Sequence, residues 1–302
     1  MSDRLPVTIH ESSEGISPAM MQAFAGVNND IALAYSNNSL SNEGHQTLSR
    51  VLIYDAMEES LRRAPAGTER RAIILGAGAC WDIPIEEIAD GFDHTTIVEI
   101  DAPTTERSLS RLSKETLGRL SLVRADLSGI VPYIDDALTT ALEKPNFNGF
   151  IEHAVSKIRN IEVSDTASAF GSDYAFVCSQ LVMSQLAVVP YLQFSDRVER
   201  RYGSPLPTAE GDAGVELAVA FSELNVKAQM GHVAQLGALV GTDGVVHFAD
   251  TFFQRTPIGR LPMTTREVAQ ALHTRFNVSN EDSWNWQPTP KLNFDVYAAQ
   301  LT

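Results

Sequence analysis

The chain has 302 residues, 44% of them hydrophobic and 20% charged, which suits one large globular domain or two small ones. A formal net charge of −15 argues against nucleic acid as the main partner, because phosphate neutralisation needs clustered Lys and Arg, and the basic pairs Arg62-Arg63, Arg70-Arg71 and Arg200-Arg201 are short. There is no long apolar run, no charged-then-apolar leader after Met1, and too few cysteines (Cys80, Cys178) for a disulfide framework, so a soluble, cytoplasmic protein without a membrane partner is expected.

In chain order, residues 1–16 are polar and expected to fray. Ser17-Pro18 opens an apolar-periodic stretch through about Tyr35, and 36–44 has the composition of a loop. A helix is expected over 45–63, with Leu48, Val51, Leu52, Asp55, Ala56 and Leu61 on one mostly apolar face. Residues 1–66 together read as a helical lid segment preceding a main domain at 67–302.

From there strands and helices alternate. Strands are expected at 71–75, 95–100, 120–125, 174–178 and 245–249, and helices at 83–89, 104–117, 131–142, 181–201 (broken or kinked at Pro190), 213–239 and 264–276. Asp101 is a plausible N-cap for the helix at 104. Residues 144–172 lack a clear period and read as an insertion or an irregular crossover, and Gly241–Gly244 reads as a turn. Two final strands, 283–287 and 293–301, are separated only by a loop and must run antiparallel. The fold class is therefore α/β: a doubly wound, mostly parallel sheet with a terminal antiparallel hairpin, whose ligands bind at the carboxyl edge where strand order reverses.

Three motifs fall on that edge. In Leu75-Gly76-Ala77-Gly78-Ala79-Cys80-Trp81-Asp82, glycines after a strand let the backbone turn tightly and approach a ligand, although an ordinary strand-to-helix turn can look the same. In Ile97-Val98-Glu99-Ile100-Asp101, an acid ending the second strand can accept both hydroxyls of a ribose. Glu99 has the βαβ spacing for this, whereas Asp101 better suits the next helix cap. In Val123-Arg124-Ala125-Asp126-Leu127, a carboxylate ending the third strand can accept from the exocyclic amine of an adenine while Leu127 covers a ring face. By itself, Asp126 reads equally well as a surface Asp beginning a turn.

Taken together, these motifs in this order, followed by two further strands and the antiparallel pair, resemble the class I S-adenosylmethionine-dependent methyltransferases over about residues 70–302. The resemblance implies a seven-stranded sheet whose last strand is antiparallel and inserted beside the fifth. It also implies S-adenosylmethionine as cofactor, methyl transfer to a small molecule, and a cofactor site formed by Gly76, Ala77, Gly78, Glu99, Asp126, Leu127 and Cys178. Ser179 and Gln180 would face the methyl group and substrate. The chain departs from the family at Ile74, where an acid is frequent, and at Cys80, where a third glycine would fall. Those departures leave open a protein of the same fold that does not methylate: a partner subunit, or an enzyme catalysing another reaction such as a cyclisation in the same pocket. A dinucleotide-dehydrogenase fingerprint would need glycine at Trp81, where an indole would obstruct close helix–strand packing.

For proton transfer, Asp250 at the carboxyl end of the fifth strand is the expected catalytic carboxylate, with His247 packed within the sheet. Weaker candidates are Ser184, Gln185, Tyr191, Arg197, Arg200, Arg201, Tyr202 and Arg255, with Tyr35, His45 and Tyr54 in the lid. The seven histidines show no metal-binding spacing, so no metal is expected. Homo- or hetero-oligomers remain open.

Overall fold

The structure, a computed structural model, describes residues 8–11, 16–37, 39–203, 212–256, 259–289 and 292–302. Its elements are β1 (Thr8–Glu11), α1 (Pro18–Asn37), α2 (Ser39–Arg63), β2 (Arg71–Leu75), α3 (Ile85–Gly91), β3 (His94–Val98), α4 (Ala102–Leu109), α5 (Lys114–Leu117), β4 (Leu120–Arg124), α6 (Val131–Leu142), α7 (Phe147–Arg159), β5 (Tyr174–Gln180), α8 (Val188–Tyr202), α9 (Asp212–Leu239), β6 (Val240–Thr256), β7 (Gly259–Pro262), α10 (Arg266–Arg275), β8 (Val278–Thr289) and β9 (Leu292–Leu301). Among the described residues, no helix is long and apolar enough to cross a membrane.

One nine-stranded sheet runs β1-β4-β3-β2-β5-β6-β9-β8, with β7 pairing β6 off this path. β1 to β6 pair in parallel along that order, while β9 is antiparallel to both β6 and β8. Without the outer strand β1 and the short β7, this is the doubly wound, seven-stranded arrangement expected from the resemblance, with the last strand inserted beside the fifth of the seven. Strand order reverses between β2 and β5, so the carboxyl ends of these neighbours define the crevice.

Alternating side chains feed two cores, as period-two strands must. Ile73, Leu75, Val177 and Phe248 join the core covered by α6 to α10. Ala72, Ile74, Phe176 and Cys178 join the core beneath α2 to α5. The strands at 71–75 and 120–124 fall almost where the pattern puts them: β2 is an apolar run buried from Ala72 to Leu75, and β4 alternates, burying Leu120 and Leu122.

Several elements differ from the sequence reading. Within 1–16, residues 8–11 form β1 through pairing with β4, a partner invisible in local sequence. The segment 36–44 is no loop from Ser39 onward, because α2 begins there. Nor does α2 bury the face its apolar residues suggest. Leu48 and Val51 are exposed, and the buried stripe is Asn42, His45, Ser49, Ile53, Ala56, Met57 and Ser60. The helix expected at 104–117 is split into α4 and α5. Asp101 occupies the N-cap position of α4, but its side chain makes no capping hydrogen bond. Pro190 falls in the first turn of α8, where its missing N–H costs nothing, so it starts the helix instead of kinking it. The expected turn at Gly241–Gly244 lies inside the long β6, whose register shifts against β5 there.

Residues 144–172 contain α7, whose Phe150, Ile151, Ala154, Val155 and Ile158 are buried. Phe150 lies 5.5 Å from Phe194 and 5.4 Å from Tyr202 between ring centroids. This stretch, between β4 and β5 in chain order, thus contributes to the core. Phe150→Ala is expected to lower unfolding free energy by about 3–5 kcal/mol in urea titrations. A loss below about 1 kcal/mol would mean that α7 is peripheral.

Candidate functional site

The crevice at the β2/β5 switch opens into a cleft floored by the turn after β2. Gly76 N–H donates to Val98 O at 2.9 Å, stitching the turn to β3. Gly76 has φ +72, and a Cβ there would lie 2.3 Å from Cγ2 of Val182, which packs directly over it. Glycine is thus required twice at this position, for backbone hand and for space. Gly78, with φ +50, is different: a Cβ there would meet no heavy atom within 4 Å, so its face is open. Cys80 also has positive φ, +58, so the departure from glycine keeps a glycine-like backbone, at a cost of about 1 kcal/mol. Its side chain is partly buried near Glu99 and Asp82, and burial pushes the thiol pKa up.

Two carboxylates stand on the strand ends beside this turn. Glu99, just past β3, accepts from Gly78 N–H at 2.8 Å and from Asp101 N–H at 3.0 Å. Burial raises its carboxyl pKa, and these backbone donors oppose the rise. Asp126, just past β4, accepts from Ser128 N–H at 2.8 Å and from Val131 N–H at 2.9 Å, so it also caps the start of α6. Burial raises its carboxyl pKa too, against the hydrogen bonds from Ser128. Ser128 Oγ–H also donates to Asp126 Oδ1 at 2.5 Å, so of about four acceptor positions on a carboxylate Asp126 keeps about one and Glu99 about two.

The cleft brings together Gly76, Ala77, Gly78, Glu99, Asp126, Leu127 and Gln180 of the expected site. It does not bring in Cys178, Ser179 or Asp250. Cys178 points into the core beneath α2, beside Ile74. Ser179 Oγ lies 2.8 Å from His232 Nε2 inside the protein. Asp250 is wholly buried and accepts from Ser184 N–H at 3.0 Å, holding the segment after β5 against β6. It is a loop-fixing residue and contacts no part of the cleft. The alternation argument placed it at the correct edge but could not see the chain folding over it.

Most of the weaker candidates serve structure. Arg197 pairs with Asp135 at 3.3 Å, and Arg200 and Arg255 pair with Asp196 and Asp295. Tyr191 packs edge-on against Phe221, and Tyr202 packs edge-on against Phe147. Ser184 is a partner of Asp250 and Thr251, and Gln185 alone of this group lines the cleft. The side chain of Tyr35 lies outside the described residues.

Sequence reasoning missed other lining residues. Phe24 and Val27 reach the cleft from α1, Trp286 from β8, and Leu181, Val182, Leu186 and Val189 from the segment after β5. Trp81 and Asp82, in the first motif but assigned no role, also line it. Among the described lining residues there is no Lys, Arg or His, while Asp82, Glu99 and Asp126 are all present. The cleft is therefore apolar on its walls and acidic at its polar points. Its makeup suits a ligand with hydroxyl, amine or cationic groups.

No protein-family model matches the chain, and no curated protein sequence matches it. Solved structures do resemble it in shape. The N-methyltransferase NodS from Bradyrhizobium japonicum WM9 aligns over 88% of this chain and 97% of its own, at 9% identity and TM-score 0.41. A TehB-like SAM-dependent methyltransferase from Corynebacterium glutamicum aligns over 81% and 86%, at 11% identity and TM-score 0.36. Precorrin-6y C5,15-methyltransferase from Geobacter metallireducens aligns over 82% and 86%, at 9% identity and TM-score 0.36. At such scores the functional reading has to rest on the residues of the cleft.

The buried Asp250 gives a pH signature. Burial raises its carboxyl pKa from 3.8 to about 6, opposed by hydrogen bonds from Ser184 and Thr251. Between those values the folded state binds more protons than the unfolded state. The contribution is fully present below about pH 4 and is lost as pH rises through about 6. Asp250→Asn removes this titration. Urea unfolding at pH 4 and pH 7 should show wild type losing about 1–3 kcal/mol relative to Asp250→Asn on going to pH 7. A stability difference independent of pH would contradict the assignment.

Proposed function

We propose that this protein binds S-adenosylmethionine in the cleft at the β2/β5 switch and transfers its methyl group to a small molecule. The observation that carries this reading is the convergence of the Gly76–Gly78 turn, Glu99 and Asp126 on one crevice. The residues fit the cofactor. Gly78 leaves an open face where any larger residue would put a Cβ. Glu99 and Asp126 retain acceptor capacity for ribose hydroxyls and for the adenine amine. Leu127 and Ile100 supply apolar cover beside them.

When bound, the cofactor supplies an electrophilic methyl on a sulfonium centre. The protein's work is then alignment and exclusion of water. Phe24, Val27, Leu186 and Val189 wall the cleft with apolar surface, and Gln185 offers an amide that can orient a neutral polar group. The net charge of −15 and the acidic lining both weigh against a polyanionic substrate.

A second reading, a protein of this fold that does not methylate, draws on Val182. Its side chain packs on Gly76 and narrows that end of the cleft. Isothermal titration separates the two readings. Sub-millimolar binding of both S-adenosylmethionine and S-adenosylhomocysteine is expected, with Glu99→Gln and Asp126→Asn each weakening it about tenfold or more. Absence of binding for both ligands would remove the cofactor from the account. Normal binding in Glu99→Gln would remove the ribose role of Glu99.

A further inference from the structure

One buried cluster remains outside this account: a polar seam that ends on the cleft at Asp82. Its outer part comes from α2 and β8. Trp284 Nε1–H donates to His45 Nδ1 at 2.9 Å, and Trp286 stacks on the His45 ring at 4.3 Å between centroids with 15° between planes. A ring that accepts at Nδ1 carries its proton on Nε2. That Nε2 is buried without a hydrogen-bond partner and faces Asp82 Oδ2 at 3.5 Å. Gln180 Nε2 donates to the same Asp82 oxygen at 3.1 Å and to Ser49 Oγ at 3.0 Å, while Gln180 Oε1 lies 3.1 Å from His247 Nε2.

The seam therefore sets one donor, Gln180, and the facing His45 ring against Asp82 inside the protein, and Asp82 lines the cleft together with Trp81 and Trp286. From these contacts we infer that Asp82 is an ammonium-binding carboxylate, aimed by His45 as a positioning residue, and that Trp81 and Trp286 flank the bound cation. An anionic oxygen in a cleft that two indoles also line, with no cation among the described lining residues, is an arrangement that recognises an organic ammonium. An anionic ligand group at this place would meet an uncompensated carboxylate.

The protonation state agrees with the geometry. Burial works against ionisation of Asp82, but His45 and the Gln180 hydrogen bond outweigh it and hold the carboxyl below the usual range. The other ionisable groups around it leave that charge alone. His247, on β6, is pushed down to about 4 by burial and stays neutral. Burial pushes the thiols of Cys80, on the same turn, and Cys178, on β5, up, so they too stay neutral. Arg50 on α2 donates to Trp81 O at 2.8 Å.

This inference rests on the cleft being the cofactor and substrate site. The ammonium has two sources in that setting: the amino-acid end of the cofactor, or an amine of the acceptor. Titrations of wild type and Asp82→Asn with four probes separate them: S-adenosylhomocysteine, methylthioadenosine (which lacks the amino-acid end), phenethylammonium and uncharged phenylethanol. A loss of about tenfold or more for S-adenosylhomocysteine, with methylthioadenosine unchanged, supports the inference and assigns the cofactor. The same loss for phenethylammonium alone, with phenylethanol unchanged, supports it and assigns the acceptor. Equal losses for charged and uncharged probes, or no loss for any, would overturn it. If wild type binds neither nucleoside, the cofactor reading fails while the amine pair still decides the role of Asp82.

His45 supplies a second route should Asp82→Asn fail to fold. In His45→Leu, ammonium affinity is expected to fall further below wild type at low pH than at pH 7, because Asp82 loses a partner that holds its carboxyl down. His45→Gln returns a polar N–H toward Asp82 and should restore the wild-type profile. A loss in His45→Leu that is the same at every pH, or that Gln does not repair, would contradict the positioning role.

Discussion

The site depends on one buried carboxylate at the end of a parallel strand. Glu99 sits where β3 stops, and each of its oxygens accepts a backbone N–H from a different loop, Gly78 on one side and Asp101 on the other. Burying that group without partners would cost several kcal/mol, so the two donors are what make its position tenable. They also fix the glycine turn against β3 and set the start of α4. Thr105 Oγ1 closes the frame from α4 by donating to Gly78 O at 2.7 Å. The turn is thereby held with the open face of Gly78 at the place where strand order reverses, and the cleft follows from that.

The second constraint comes from α2, which is tied to both ends of the chain's ligand edge. Asn42, His45 and Ser49 follow one another at helical spacing on the buried face. Asn42 accepts from Trp286 Nε1–H at 3.0 Å, His45 accepts from Trp284, and Ser49 meets Gln180. Polar side chains turned inward cost stability unless every donor finds an acceptor, so a helix that buries such a stripe serves more than packing. Here the stripe fastens the glycine turn, the end of β5 and the β8 hairpin strand to one another, while α1 adds Phe24 and Val27 to the cleft.

Much of this was legible in the sequence where the physics is local. Arg71–Leu75 ends at a glycine because the chain must turn, and Val131–Leu142 shows a helical period, so both elements were placed residue for residue. Glu99 and Asp126 were singled out because an acid ending a parallel strand stands at the ligand-binding edge of such a sheet, and both line the cleft. What stayed hidden depends on distant partners. β1 exists only through β4, and α7 is buried because α6 and α9 pack against it, with Phe194 and Tyr202 of α8 beside Phe150. Asp250 satisfied the rule of strand alternation, yet the segment after β5 covers it and claims its oxygens. The pairing of Asp82 with His45, itself only a weak candidate in the sequence, stayed hidden for a related reason: it is a contact between α2 and the glycine turn, which spacing along the chain does not encode.

The most direct test of the central claim is a crystal structure of this chain grown with S-adenosylhomocysteine. The account predicts the ligand over the Gly76–Gly78 turn, its ribose hydroxyls within hydrogen-bond reach of Glu99 and its adenine amine within reach of Asp126. A ligand bound elsewhere, or an empty cleft at saturating ligand with Val182 still closed on Gly76, would contradict it.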